Sequence, residues 1–467
     1  MARKTLDLTD ERKSPLLVIC WLAWPLFLEQ ILTTLVSFAD TAMVGALGVN
    51  ATAAVSISNS FVFLINGAVI AMGIGLTAYV ARSVGAKDFE AAKAYIRHAF
   101  LILLAMGLPL SIGMAILHRH IPMWMGAEAV IMDDAALYVL ITSLFRVFGM
   151  ATMVLASVYR GRGDTKTPLY INIGVNILNV VGNYLFINPT HTLHLFGMNV
   201  TIWGAGWGVA GAAFSTGFSW FVGGTLLALG LFMKKDPTQL SFRDSFRPDF
   251  PLLKRVLHVS FPAMLERICM STSGIVVMKC IASLGTTVVA ANTVFSTAES
   301  ISFMPAFAFA TAATTLVGQA LGAGKPKLAE RYVKYTVGLG AVIMGLAGLG
   351  LYVFADFLVS LFTPDPEARA IAKECLQIVA IIQPVQTAAW IFAGGLRGAG
   401  DTKWPFYITA VCNWGIRTLG DVLAIVVFGM GLPVTIVIAC VDNTVRCIWT
   451  GARFKGGKWK NVIKNQK

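Results

Sequence analysis

The chain has 467 residues, of which 56% are hydrophobic and only 13% charged, with a mean hydropathy of +0.71 and a formal net charge of +13. A soluble domain carries about a quarter charged residues, so this composition excludes a soluble protein and specifies a polytopic membrane protein. The seven cysteines are scattered through or beside apolar segments with no CxxC spacing, so they read as small core hydrophobes and say nothing about redox compartment.

Residues 1–13 precede an apolar run that is too long for a signal peptide and lacks a small-residue cleavage site, so it is expected to be an uncleaved first helix. With about 20 apolar residues as the spanning length, twelve segments follow at 16–43, 52–80, 93–117, 134–159, 168–187, 204–233, 256–283, 287–317, 330–357, 370–396, 405–428 and 430–452. Lys and Arg gather in alternate connections: Arg82 to Arg97, Arg160 to Lys166, Lys234 to Arg255, Lys325 to Lys334, Arg397 to Lys403, and the tail from Arg453. The intervening loops hold Arg119 and Arg369 and otherwise acids. By the positive-inside rule both termini are expected in the cytoplasm, with the chain in the cell (inner) membrane. Topology thus accounts for the net charge, and no nucleic-acid partner is needed.

The first segment reads WLAWPLFLEQILTTLVSFADTAMVGALG from Trp21 to Gly48. A carboxylate at a helix centre costs about 2.5 to 3.5 kcal/mol on insertion scales, so Asp40 is expected to face protein or water within the membrane rather than lipid. The bland reading places it just beyond the bilayer.

An internal repeat organises the rest. Pro25 to Gln30 recurs as Pro262 to Arg267, an offset of 237. Thr77, Val80 and Gly85-Ala86 recur as Thr314, Val317 and Gly322-Ala323, and Arg160 to Pro168 recurs as Arg397 to Pro405, all at that offset. Because 237 residues contain six spans, the halves share one orientation. The fold expected is all-α, with twelve transmembrane helices in two parallel six-helix bundles: 1–233 as the N-lobe, 234–255 as a cytoplasmic linker, 256–467 as the C-lobe and basic tail. The register ends after segment five, where Asn188 to His194 forms an extra polar loop. His191 and His194 there, at i, i+3, lack the further ligands a metal site needs.

The runs P-x-x-L-E-Q from Pro25 and D-x-x-M-V-G-x-L-G from Asp40, the G-x-G-D-T-K-x-P loop beginning at Gly161 and matched from Gly398, and the block Leu316 to Lys325 together resemble the multidrug and toxic compound extrusion (MATE) family across essentially the whole chain. The resemblance implies an antiporter, not an enzyme, with a V-shaped pair of bundles, exporting amphipathic and often cationic organic compounds against protons or sodium. It implies small-molecule substrates, contact with membrane lipid, no resident cofactor and no catalytic residue, and a monomer is expected.

Carried across residue by residue, the family's cation-coupling positions fall on Asp40, Asn179, Asn183 and Thr216. Spacing supports the grouping: at about 1.5 Å per helical residue, Asn183 lies about 23 Å and Thr216 about 20 Å into their helices, and Asp40 about 24 to 29 Å beyond Trp21 and Trp24. The competing reading makes the asparagines interhelical glue. A carboxyl in such a lobe can load a proton and release it when water enters, and the same oxygens could instead hold Na+, the single metal ion considered. Proton coupling is the first expectation.

The C-lobe departs from NorM-like members: where these place acids on helices seven and ten, Met270 and Gln386 stand. Glu266, Glu299, Arg417 and Asp421 are expected either as structural pairs, Lys279 with Glu299 and Arg417 with Asp421 or Asp442, or as cavity-lining groups that sort substrates. Gln30, Met270, Met304 and Gln386 complete the cavity candidates, Met and aromatic side chains suiting varied apolar ligands. Pro25 and Pro305 are expected as hinges. The alternative of a lipid-linked oligosaccharide flippase in the same superfamily calls for a cavity crowded with Arg and Lys. No Walker loop is present, so primary active transport by this chain alone is excluded.

Overall fold

The computed structural model describes residues 7–195, 198–233, 235–241 and 243–462, with side chains described throughout these except at 64, 193–200 and 301. Lys234, the last basic residues of the tail and the His194 side chain fall outside.

In chain order the first half runs α1 (Pro15–Gly45), α2 (Val49–Gly85), α3 (Phe89–Ile116), the short α4 (His120–Trp124), α5 (Met132–Leu144), α6 (Arg146–Gly161) and α7 (Lys166–Ile187). A hairpin of β1 (Pro189–Leu195) and β2 (Met198–Ala205) follows, then α8 (Val209–Met233). The second half runs α9 (Phe250–Ala282), α10 (Thr286–Gly322), α11 (Pro326–Val353), the short α12 (Ala355–Ser360), α13 (Pro366–Gly398), α14 (Lys403–Val411), α15 (Leu419–Val422) and α16 (Leu432–Lys455). Among the described residues, ten helices or helical stretches are long and apolar enough to span a bilayer alone, and α5 with α6 makes an eleventh, bent by 54°. The more highly charged α9 completes the twelve, arranged as two six-helix bundles.

The repeat sets the element boundaries. Adding 237 to the limits of α2 gives those of α10, and adding it to those of α3 gives those of α11; the end of α6 maps on the end of α13 and the start of α7 on the start of α14. Local chemistry explains the coincidence. Gly48 and Gly285 take φ of +113° and +107° before α2 and α10, a conformation that side chains disfavour. The Asp88 carboxylate accepts from the Ala91 amide at 3.0 Å and so caps α3, while Pro326 opens α11 from its fixed φ.

Three expectations are corrected. The polar loop after α7 is a two-stranded hairpin, and the sixth span begins at Val209 rather than 204, because Met198 to Ala205 pairs with β1 instead of entering the helix. The fourth and ninth spans are interrupted, at Phe145 and Phe354. The eleventh is neither uniform nor a single α-helix: π-helical turns at Cys412–Thr418 and Leu423–Val427 flank α15.

Each half has its own apolar core. Leu76, Tyr79, Ile96, Leu155 and Leu231 pack in the first, and Leu316, Tyr332, Ile391 and Leu396 in the second, where Val18, Ile19 and Leu22 of α1 also insert. The halves meet at the end that carries the basic loops. A Cβ on Gly85 would lie 2.0 Å from the Gln319 carbonyl oxygen, and one on its repeat mate Gly322 2.0 Å from that of Arg82, so only glycine admits this approach of α2 to α10. Thr315 Oγ1 donates to the Arg160 carbonyl and Gln319 Nε2 to that of Gly161, both at 3.0 Å, sealing the seam with polar bonds in an apolar setting.

Candidate functional site

A cavity of about 490 Å³ opens within the first half, walled by α1, α2, α5, α7 and α8. Close packing of α7 against α8 brings its polar residues together. A Cβ on Gly182 would sit 2.5 Å from Ser215 Oγ and one on Gly211 2.3 Å from the Phe186 carbonyl oxygen, so both glycines are needed for this approach. Ser215 Oγ then donates to the Asn179 carbonyl at 2.9 Å, locking the register of the two helices.

All four residues grouped from the sequence line this one cavity. Asn183 Nδ2 donates to Asp40 Oδ1 at 2.5 Å, joining α7 to α1. Asn179 Nδ2 donates to Thr216 Oγ1 at 3.4 Å. Asn183 is 1% and Asn179 5% exposed, while Asp40 is half-buried and reaches the cavity. Asn179 Oδ1, Asn183 Oδ1 and Ser219 Oγ have no hydrogen-bond partner among the described residues. Buried oxygens left without donors favour a cation, and this set of one carboxylate with amide and hydroxyl oxygens is hard enough for a proton carrier or Na+.

The sequence reading missed part of the wall. Tyr138 of α5 donates through its hydroxyl to Asn59 Oδ1 at 3.4 Å, and Asn59, Asn66 and Asn176 face the same space. Arg146 stands beside them, 2% exposed. Its Nη2 donates to Asn66 Oδ1 at 2.5 Å and its guanidinium lies 5.6 Å from the Trp220 ring centre. A signal was present: Asn176, Asn179 and Asn183 recur at i, i+3 and i+7, and Asn59 and Asn66 at i and i+7, each one face of a helix.

The second half does not repeat this chemistry. Val277, Ile416 and Gly420 stand 237 residues beyond Asp40, Asn179 and Asn183. Its cavity, about 310 Å³, is lined by Met270, Glu299 and Arg417 with Asn413, Ser273 and Asn292. Gln30, Met304, Gln386 and Asp421 are not in that lining. Asp421 is fully buried, 3.9 Å from Arg417 Nε, and both its carboxylate oxygens lack a hydrogen bond. Arg446, not Arg417, holds Asp442 at 2.7 Å. The expected Lys279–Glu299 pair is absent among the described residues, because Glu299 faces the cavity beside Arg417. Glu266 is bonded by Arg397 Nη2 at 2.7 Å and by Thr409 Oγ1 at 3.1 Å. Its repeat mate Glu29 is held likewise by Arg160 at 2.9 Å and Asn172 at 2.7 Å, so these acids are structural pairs. Pro25 and Pro305 lie inside α1 and α10. His191 Nε2 sits 2.6 Å from the Tyr184 hydroxyl, within hydrogen-bond distance.

The MatE family model matches residues 25–185 and again residues 262–423. A probable multidrug resistance protein NorM of Thermotoga maritima is 28% identical over 440 residues, covering 94% of this chain and 92% of that protein. An uncharacterized transporter, YisQ, of Bacillus subtilis is 27% identical over 451 residues, 94% of each. Among solved structures, a MOP superfamily transporter from Pyrococcus furiosus superposes with a TM-score of 0.86 at 23% identity, covering 98% of this chain and 99% of the other. An outward-facing multidrug resistance MATE family transporter gives 0.87 at 22% identity, over 98% and 99%.

Proposed function

This chain belongs to the MatE family of membrane transporters, and from that premise we propose that it exports amphipathic, often cationic, organic compounds by cation antiport, with Asp40 as the coupling carboxyl. The observation that carries this reading is the hydrogen bond from Asn183 to Asp40 inside a cavity where Asn179 Oδ1, Asn183 Oδ1 and Ser219 Oγ have no partner among the described residues. The positive-inside rule supports a cytoplasmic side for the basic loops and both termini. The halves are sealed at that side and the structure is then outward-facing.

In the mechanism, an outward-facing lobe admits water to Asp40, which takes up a proton. Neutralising the carboxylate removes the charge that Asn183 and a cationic cargo both recognise, so cargo leaves as the proton binds. The loaded carboxyl lets the lobes rock to the other side, where the proton is released and cargo rebinds. The two fluxes are opposed because one carboxylate serves both. Na+ held by Asp40, Asn179, Asn183 and Thr216 would act by the same logic.

Ethidium efflux from proteoliposomes, driven by an imposed pH gradient and separately by an imposed sodium gradient, tests the proposal. Efflux under the pH gradient alone is expected. Efflux under the sodium gradient alone would replace the proton by Na+, and efflux under neither would remove antiport. A flippase for lipid-linked sugars is less supported, since the first cavity is lined by Asp40 and by no Arg or Lys, and the second holds Glu299 beside Arg417.

A further inference from the structure

Where the two halves meet, α2 and α6 of the first and α9, α10 and α13 of the second enclose a pocket of about 70 Å³. Three guanidinium groups line it: Arg160 from the first half, Arg267 and Arg397 from the second. Arg160 and Arg397 reach back to Glu29 and Glu266 through Nη2. Their Nε groups are buried without a hydrogen-bond partner among the described residues, and Arg397 as a whole is 9% exposed. Arg267 makes no ion pair among the described residues. It occupies the place that Gln30 fills in the first half, so the repeat gains a charge here without gaining a counter-charge.

Three guanidiniums against two carboxylates leave one positive charge in a seam surrounded by membrane helices. Isolated charges are costly in such surroundings unless paired. The pocket's hydroxyls give no relief. Thr77 donates to the Ser157 carbonyl, Ser157 to Met153, Thr311 to Phe307 and Thr314 to Gly394, so the donors left among the lining side chains are those of the three arginines and the Trp390 indole. Glu29 and Glu266 are not in its lining. In the measure in which about 10–15 Å³ holds one water molecule, the volume admits a monatomic anion with a few waters and lies below the roughly 300–1,000 Å³ of sites that take drug-sized compounds.

We propose that this seam is a chloride site, in which Arg160, Arg267 and Arg397 clasp one halide between the two halves. The clasp exists only while the two halves meet at this seam, so the bound anion holds the basic-loop end shut and is released when the lobes rock apart. It supplies the counter-charge that Arg267 lacks.

Bromide, which scatters anomalously, reports the site directly. Crystals of the full chain grown in sodium bromide are expected to show one anomalous peak among Arg160, Arg267 and Arg397, and crystals of Arg267→Gln none. In detergent, the unfolding midpoint is expected to rise and saturate as gluconate is exchanged for chloride, and the rise to vanish in Arg267→Gln while persisting, weaker, in Arg267→Lys. No peak in wild-type crystals, or an unfolding midpoint indifferent to chloride, overturns the proposal. Neither readout involves transport, so their failure leaves the antiport reading standing.

Discussion

Asn183 and Asp40, 143 positions apart, are joined by a hydrogen bond of 2.5 Å from an amide that is 1% exposed to a carboxylate that faces the N-lobe cavity. The acid is therefore reachable from the cavity while its orientation is fixed from behind.

The first prediction follows. Asp40→Asn keeps shape and volume but cannot carry a proton, so gradient-driven ethidium efflux is expected to fall to the level of protein-free vesicles. The new amide keeps a carbonyl oxygen that can accept from Asn183, so the unfolding midpoint should stay near that of the wild type. Efflux that persists in this variant would take Asp40 out of the mechanism. Asn183→Leu, which frees the carboxylate to reorient, is expected to slow efflux and shift its pH profile without abolishing it.

How much of this was legible in the sequence depended on what each feature needs. Spans and their repeat need only local information, so hydropathy and the 237-residue offset sufficed to match α2 to α10 and α3 to α11 as repeat mates. Asp40, Asn179, Asn183 and Thr216 were within reach because the family resemblance marks their positions and depth along a helix, which can be counted, agrees with it. Tyr138 and Asn59 were not, because they reach the site only through the packing of α5 on α2, which span order does not encode. The same limit misassigned Lys279 and Glu299: their depths match, but depth says nothing about which face each residue turns to its neighbours. The hairpin was read as a polar loop, and its last two residues, 204 and 205, as the start of a span, although Met198 to Ile202 alternates as a strand does.

The twin acid–arginine pairs give a second prediction. Glu266→Gln leaves Arg397 buried without its carboxylate, which is expected to cost about 3–5 kcal/mol and to lower the detergent unfolding midpoint markedly. Removing both partners, as Glu266→Leu with Arg397→Leu, should cost less than the single change, since no buried charge is left behind. A double variant less stable than Glu266→Gln would mean that the pair contributes net stability. Glu29→Gln should be milder, because Arg160 is 22% exposed against 11% for Arg397.

The repeat also exposes a local strain. Lys87 takes φ of +58° in the turn after α2, and the matching turn after α10 has Gly324 at +72°. A left-handed conformation costs a side-chain-bearing residue roughly 1–2 kcal/mol, partly offset by the greater chain entropy that glycine loses on folding. Lys87→Gly is therefore expected to raise stability by up to about 1 kcal/mol, read as a higher unfolding midpoint with unchanged efflux. A lower midpoint would show that the Lys87 side chain contributes more than the strain costs.

Gly85 and Gly322 bear on the rocking of the lobes itself. Each closes the seam by admitting a backbone carbonyl of the opposite half, and a methyl group at either would stand 2.0 Å from that oxygen. Neither backbone can yield without α2 and α10 separating, so Gly85→Ala penalises this closed seam and leaves a state with parted basic-loop ends unaffected. Overpacking of this kind costs about 1–3 kcal/mol, and at 1.4 kcal/mol per decade that shifts the balance of the two states roughly five- to more than a hundredfold. Spin labels on the loops after α2 and α10 are expected to report a longer distance in Gly85→Ala than in the wild type, and Gly322→Ala should act alike because the two contacts are related by the repeat. Unchanged distance distributions in both variants would mean that the seam opens and closes without using this glycine contact.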